Sequence, residues 1–312
     1  MTEVDVIDDE FIVAFNPPNE VFNEFVHYVG TTEGWAFQEN DYEIWKNSYP
    51  KHWLFMVQQR DTDKYVASIS LAKSELRDGS PLFTVAFFYC LSEYRSKGFG
   101  KVLFDKIHSI YGDLNCSLFG VGTMWQWYER RYGFRHLQPY FHCSATIDCR
   151  DLKIPELVGV KGVRIEELDF DKVLEYDEGI CEMKRGRAME SWLMAYGVHT
   201  KMAVNASGLC VGYGAVRKVS LNRLTISPLY ADSPQIASLI LRSILSCFDF
   251  SQFQCIISVY PSTNSAIPSL LTPFCDGLFE THEFSRSQFT QKLLKVDERK
   301  VFAIRHCAHG YV

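Results

Sequence analysis

The sequence predicts an α/β (α+β) protein of two domains, each a mixed, mostly antiparallel sheet flanked by helices. Three observations carry that prediction. The chain has 312 residues, 47% hydrophobic and 14% aromatic, more apolar material than one core usually absorbs, so two domains of roughly 150 residues are expected. Apolar runs of strand character alternate with amphipathic stretches at helical spacing. From about residue 162 the order of elements starts again, without obvious residue identity between the halves.

The first half opens with a short strand, "FIVAF" (11–15), and a helix over "PPNEVFNEFVHYV". There Pro stands at the start, and Val21, Phe22, Phe25 and Val26 fall at helical spacing. "NDYEIWKNSYP" gives a second helix, capped by Asn40 or Asp41 and stopped at Pro50. "HWLFMVQQ" and "KYVASISLA" are strands around the polar turn "RDTD", and "PLFTVAFFYCL" (81–91) is a long buried strand. An amphipathic helix follows, with Phe99, Leu103, Ile107 and Ile110 opposite Lys101, Asp105 and His108. Then come strand "CSLFGVG", helix "TMWQWYERRY" ending at Gly133, and the last strands in "FRHLQPYFHCSATI".

"DCRDLKIPELVGVKG" (148–162) loses periodicity and reads as the linker, which sets the domains at 1–150 and 151–312. Beyond it the expected elements are strand "VRIEEL", helices "DKVLEYDEGICEM" and "RAMESWLMAYG", and a hairpin turning at "NASG". Strand "RLTISPLYA", helix "SPQIASLILRSIL", strand "QCIISVY" and the tail "KVFAIRHCAHGY" complete it.

Composition excludes several function classes. Thirty-two Lys and Arg against 38 Asp and Glu give a net charge of −6 with no dense basic stripe, which argues against nucleic acid. That balance suits a small cationic substrate and equally suits plain solubility. The ten cysteines are scattered singly, with no CxxC pair and no zinc spacing, so no metal is expected and a reducing compartment is. The acidic N-terminus lacks a signal pattern and no apolar run reaches membrane-spanning length. The expectation is a cytoplasmic or nuclear protein with no membrane partner.

The chemistry concentrates in "SEYRSKGFGKVLFDKI" (92–107), where a strand feeds a glycine turn and then a helix. Such a junction leaves amide N–H groups unpaired at the positive end of a helix dipole, which makes an anion site. Gly98 and Gly100 let the backbone approach a diphosphate, and Arg95 and Lys97 add charge. A Walker-A loop is absent, and Leu103 stands where a Rossmann fingerprint needs its third glycine. On pattern alone a plain strand-to-helix turn remains open.

"RSKGFG" (95–100) resembles the [RQ]xxGx[GA] signature of the GNAT N-acetyltransferase superfamily. "YERRYGF" (128–134) is similar to that superfamily's fourth-helix motif, and "EGW" (33–35) is a weaker match. The second half resembles the partner domain of tandem GNAT proteins in "RAMESWL", "GYGAVRK", "ISPLYAD" and "VFAIRHCAHG". Its loop "DSPQIA" (232–237) lacks the glycine pair. The resemblance implies two GNAT-like domains, the first binding acetyl-CoA and the second degenerate. The backbone of Leu91 and its neighbours would pair with the pantetheine arm, the stretch Arg95, Ser96, Lys97, Gly98, Phe99 and Gly100 would hold the pyrophosphate, and a splay between the fourth and fifth strands would admit the thioester.

Attack of an amine on a thioester requires a neutral amine, a donor for the developing oxyanion and an acid for the thiolate. The resemblance makes Tyr128 the acid, one residue farther from Gly133 than usual, with core packing as its other reading. Glu93 is a candidate for base assistance through water, or a surface residue. Cys90 lies beside the expected thioester site, in an apolar run that favours inert packing. Trp125 and Trp127 could meet an aromatic acceptor or fill the core. His108 and His136 read as solvated or satisfied, "KLLKVDERK" (292–300) as a solvated face, and Arg187 and Asp232 as structural, closing the acceptor pocket. The function expected is transfer of acetyl from acetyl-CoA to a small-molecule amine by direct attack. The alternatives are a non-catalytic acyl-CoA-binding scaffold and a protein-lysine acetyltransferase.

Overall fold

The computed structural model describes residues 5–156 and 158–310. Residues 1–4 of the acidic N-terminus, Leu157 in the expected linker, and Tyr311 and Val312 lie outside the described residues. In chain order the first half forms β1 (Asp5–Val6), β2 (Phe11–Phe15), α1 (Asn19–Glu33), α2 (Asp41–Ser48), β3 (Lys51–Gln59) and β4 (Tyr65–Leu76). It continues with β5 (Pro81–Cys90), α3 (Phe99–Tyr111), β6 (Cys116–Val121), α4 (Met124–Tyr132), β7 (His136–Leu137) and β8 (His142–Asp148). The second half forms β9 (Val163–Glu166), α5 (Phe170–Asp177), β10 (Met183–Lys184), α6 (Gly186–Leu193), β11 (Val198–Asn205) and β12 (Cys210–Val219). Then come β13 (Arg223–Ala231), α7 (Pro234–Leu245), β14 (Cys255–Pro261), α8 (Ile267–Cys275), β15 (Glu280–Phe289) and β16 (Val301–Ala303).

The helix expected over 171–183 stops at Asp177, because the chain turns at Gly179 and enters β10. Strand β15 and helix α8 have no counterpart in the sequence reading.

The strands join in one mixed, mostly antiparallel sheet, in the order β1-β2-β3-β4-β5-β6-β15-β8-β14-β13-β12-β11-β9. The halves exchange strands at its centre. β15, from the C-terminal half, lies between β6 and β8, while β8, from the N-terminal half, pairs with β14 over Cys255↔Asp148 to Pro261↔His142. The cores interlock accordingly. Ala188 and Ala308 pack into the core of the first half, and Ala145 and Ile147 of β8 into that of the second. Helix α1 shows how sequence makes this fold locally: Phe22, Phe25, Val26 and Val29 form one buried stripe, and Gly34 closes the helix in the left-handed conformation.

Each half carries one pair of parallel strands that starts together and then diverges. In the first, β5 pairs with β6 only at Phe83↔Cys116 and Thr84↔Ser117. Beyond Thr84 the two separate, and no strand lies between them among the described residues. Phe87 bulges there at φ 52°, its carbonyl accepting the Ser68 hydroxyl at 2.7 Å. In the second, β13 pairs with β14 from Leu224↔Ile256 to Ile226↔Ser258. Pro228, with no amide to extend the ladder, follows. There β16 enters the gap, pairing with Leu229 and Tyr230 on one side and donating from Ile304 N to Val259 O on the other.

Candidate active site

The glycine turn lies where β5 hands over to α3, at the open end of the first gap. A short 3₁₀ turn over Ser92–Tyr94 ends β5, and Gly98 caps α3 at φ 90° with no side-chain cap. That φ belongs to glycine: a Cβ at Gly98 has free space around it but a strained backbone. The amides of five consecutive residues, Ser96 to Gly100, have no acceptor among the described residues. Residues 95–98 are exposed, while Phe99 is buried against Phe11 with ring centroids 4.7 Å apart. Unpartnered amides fanned at a helix N-terminus are what a diphosphate needs. The turn therefore fits the group expected there.

Three sequence expectations need correction. Arg95 does not present its charge to the turn. Its Nε donates to Cys90 O at 3.1 Å and its Nη2 to Glu33 at 3.0 Å, so it ties the turn to the end of α1. Leu91 has no free amide: its N–H donates to Val66 O and its carbonyl accepts from Tyr94 N, each at 2.9 Å, which leaves only the carbonyl's second lone pair. Glu93 is exposed and ion-paired with Lys64 at 3.0 Å, while hydrogen bonds hold its carboxyl below the ordinary range. That pairing leaves it a weak base directed toward the β3–β4 hairpin. Lys97 keeps its ammonium over the Phe11 and Tyr94 rings, 5.7 and 5.1 Å from their centroids.

Tyr128 stands in an aromatic cluster. Its ring centroid is 5.6 Å from Phe104, 5.4 Å from Trp127 and 6.1 Å from Phe88. Phe88 in turn abuts the turn, its Cζ 3.1 Å from where a Cβ on Gly100 would sit. One ring thus separates Tyr128 from the glycines. Its hydroxyl has no partner among the described residues, and burial raises its pKa, which keeps it protonated as an acid must be. Trp127 stacks on Phe88 at 6.0 Å and 15°, so it serves packing. Tyr132, nearest to Gly133, is engaged with Asp105 at 2.8 Å. The Cys90 thiol is half-buried and raised by desolvation, an inert setting.

Gln288 carries no signal readable from residues alone. This buried side chain of β15 donates from Nε2 to Trp125 O at 3.0 Å and to Phe134 O at 2.9 Å, gripping α4 near its start and just past its end. The exchanged strand of the second half therefore sets the position of Tyr128's helix. Gly120 makes room for it, since a Cβ there would clash with Gln288 Oε1.

The corresponding turn of the second half is built otherwise. Ser233 caps α7, its hydroxyl accepting from Ile236 N at 3.3 Å, and Pro234 has no amide to offer. Asp232 sets a carboxylate beside it, held by Tyr176 at 3.0 Å and Lys300 at 2.8 Å, so its partners all lie within the second half. Among the described residues no cluster of three or more potential metal ligands occurs, and no helix is long and apolar enough to cross a membrane.

A family model described as protein of unknown function DUF1248 matches residues 8–180, the stretch that holds the glycine turn. The chain belongs to that family. A model of the acetyltransferase (GNAT) domain matches residues 173–272, in the half whose gap is filled. The chain is 23% identical over 246 residues to an uncharacterized protein of Caenorhabditis elegans, covering 72% of this chain and 73% of that one. A putative acetyltransferase from Pyrococcus horikoshii superposes with a TM-score of 0.71 at 13% identity, over 97% of both chains. A tandem GNAT protein from the clavulanic acid biosynthesis pathway superposes with a TM-score of 0.62 at 13% identity, over 89% of this chain and 98% of its own. The fold is that of the GNAT proteins.

Proposed function

We propose that the chain is an N-acetyltransferase whose first half binds acetyl-CoA and whose acceptor is a small-molecule amine. The observation that carries this reading is the row of unpartnered amides from Ser96 to Gly100, at the mouth of the gap between β5 and β6. When bound, acetyl-CoA supplies an activated acetyl thioester. The amides of Ser96 to Gly100 hold the diphosphate, and Lys97 adds a mobile point charge. The divergence of β5 and β6 would admit the thioester and hold it beside an amine, and proximity would supply much of the rate. Tyr128, protonated and one ring from the turn, would give a proton to the departing sulfur. No side chain is assigned as base.

Isothermal titration with acetyl-CoA, then thiol release across a panel of amines, tests the reading. Tight binding without release on any amine or lysine peptide moves the assignment to an acyl-CoA-binding scaffold. Release only with lysine peptides moves it to a protein acetyltransferase. Absence of binding removes it altogether.

A further inference from the structure

We propose that the three-residue turn Ser220–Asn222 joining β12 to β13, with Arg223 that follows it, is a specificity-determining element for the acceptor: it fixes the 34–38 loop over which the amine reaches the gap. The proposal rests on the acyl-transfer reading above.

The two faces of β5 carry different loads. On one face Phe88 touches Phe104, Trp127 and the glycine turn, the face a donor anchored at residues 96–100 must use. An amine attacking a thioester in the gap therefore comes from the other face. There Tyr89 and Phe87 meet Trp35, with ring centroids 5.5 and 6.4 Å apart. Trp35 is half-buried and belongs to the irregular loop between α1 and α2.

That loop has no regular structure of its own, and its backbone is held by the second half. Arg223 donates from Nη1 to Gly34 O and from Nη2 to Trp35 O, each at 2.8 Å, and Ser220 N donates to Phe37 O at 2.8 Å. A planar guanidinium that takes two successive carbonyls fixes both position and direction of the chain. Arg223 is buried, and no carboxylate pairs with it among the described residues. Its desolvated charge is compensated by main-chain carbonyls, most of them from this loop. The turn is itself constrained: Leu221 and Asn222 both stand at positive φ, 62° and 50°, with leucine where glycine or asparagine is usual. Constraint of that kind is kept where the surroundings over-determine it.

The test uses the full chain, acetyl-CoA, and 2-phenylethylamine, n-butylamine and spermidine as acceptors. In Arg223→Ala the KM of the best of these amines rises about tenfold or more and the order of preference among them changes. The kcat stays within about threefold and the acetyl-CoA Kd within about twofold. Arg223→Lys, which reaches one carbonyl, falls between. Should Arg223→Ala fail to fold, Gly30→Ala disturbs the same contact from the opposite side, its Cβ being 2.9 Å from Ser220 Oγ. An unchanged KM and order in a folded variant overturns the proposal, as does a parallel loss of acetyl-CoA affinity. So does a wild type that binds acetyl-CoA and uses none of the three amines. A wild type that does not bind acetyl-CoA overturns the acyl-transfer reading itself.

Discussion

Two gaps of the same origin lie in one sheet, and they have opposite fates. In the first half the strands part beyond Thr84, and the turn beside them keeps five amides unpartnered. In the second they part beyond Ile226, β16 fills the space, and a serine, a proline and an aspartate use up or repel what the turn could bind. The comparison separates fold from activity. A diverging strand pair is common to both halves; what differs is whether main-chain polar groups have partners inside the protein. The second half instead supports the first, through Gln288 under α4 and Arg223 under the 34–38 loop.

Acid breaks both halves together and gives the largest effect. His142, His306 and His309 are buried, His52 is half-buried with both ring nitrogens shielded, and desolvation holds all four neutral, His52 and His142 lowered to about 3 and His306 to about 4. Their folded pKa values lie below the unfolded value of about 6.5. The unfolded chain therefore binds more protons in that window, and stability falls as pH drops below about 6.5. Each histidine contributes up to about 1.4 kcal/mol per pH unit until its folded pKa is reached. Urea midpoints measured from pH 7.5 to 5 check this; a flat profile contradicts the burial. Both ring nitrogens of His309 meet hydroxyls, of Ser70 at 2.9 Å and Thr84 at 2.8 Å, beside the point where the first gap opens.

The next changes sharpen the contrast between the turns. Gly98→Val weakens acetyl-CoA binding by about a hundredfold or more, because valine resists positive φ and adds bulk where the diphosphate would lie. Ser233→Val leaves the affinity within about twofold, and calorimetry on both variants decides the matter. Tyr128→Phe lowers thiol release by about a hundredfold with acetyl-CoA affinity kept, in line with loss of a general acid. An unchanged rate makes Tyr128 a packing residue only.

Gln288→Leu tests the support from the exchanged strand. Two buried carbonyls lose their donor at a cost of about 2 kcal/mol, and the rate falls with α4 displaced. Denaturant melts and thiol release are the readouts. Ser233→Ala, which removes a helix cap, gives the smallest effect, about 1 kcal/mol of stability with no change in acetyl-CoA affinity.

Much of this was legible from residues alone. "PLFTVAFFYCL", the glycine pair and the helix at Phe99 are local signals, and β5, the turn and α3 lie where those signals put them. Strand β15 was not legible, because three of its four buried positions hold Ser285, Ser287 and Gln288 and only Phe289 is apolar, so no apolar alternation marks it. The use made of Arg95 by Glu33, and of Gly34 and Trp35 by Arg223, spans 62 and 188–189 residues of sequence. Contacts of that range leave no periodicity to read. The filling of the second gap was likewise hidden, since "VFAIRH" reads as an ordinary strand until its neighbours are known.

The crossed strands have a practical consequence for anyone dissecting the molecule. Severed in the connector near residue 155, the chain would yield two fragments, each lacking the rib that completes its neighbour and each exposing a raw sheet edge. Such pieces belong together in one expression host, and recovery of a working particle from them would report on the crossing itself.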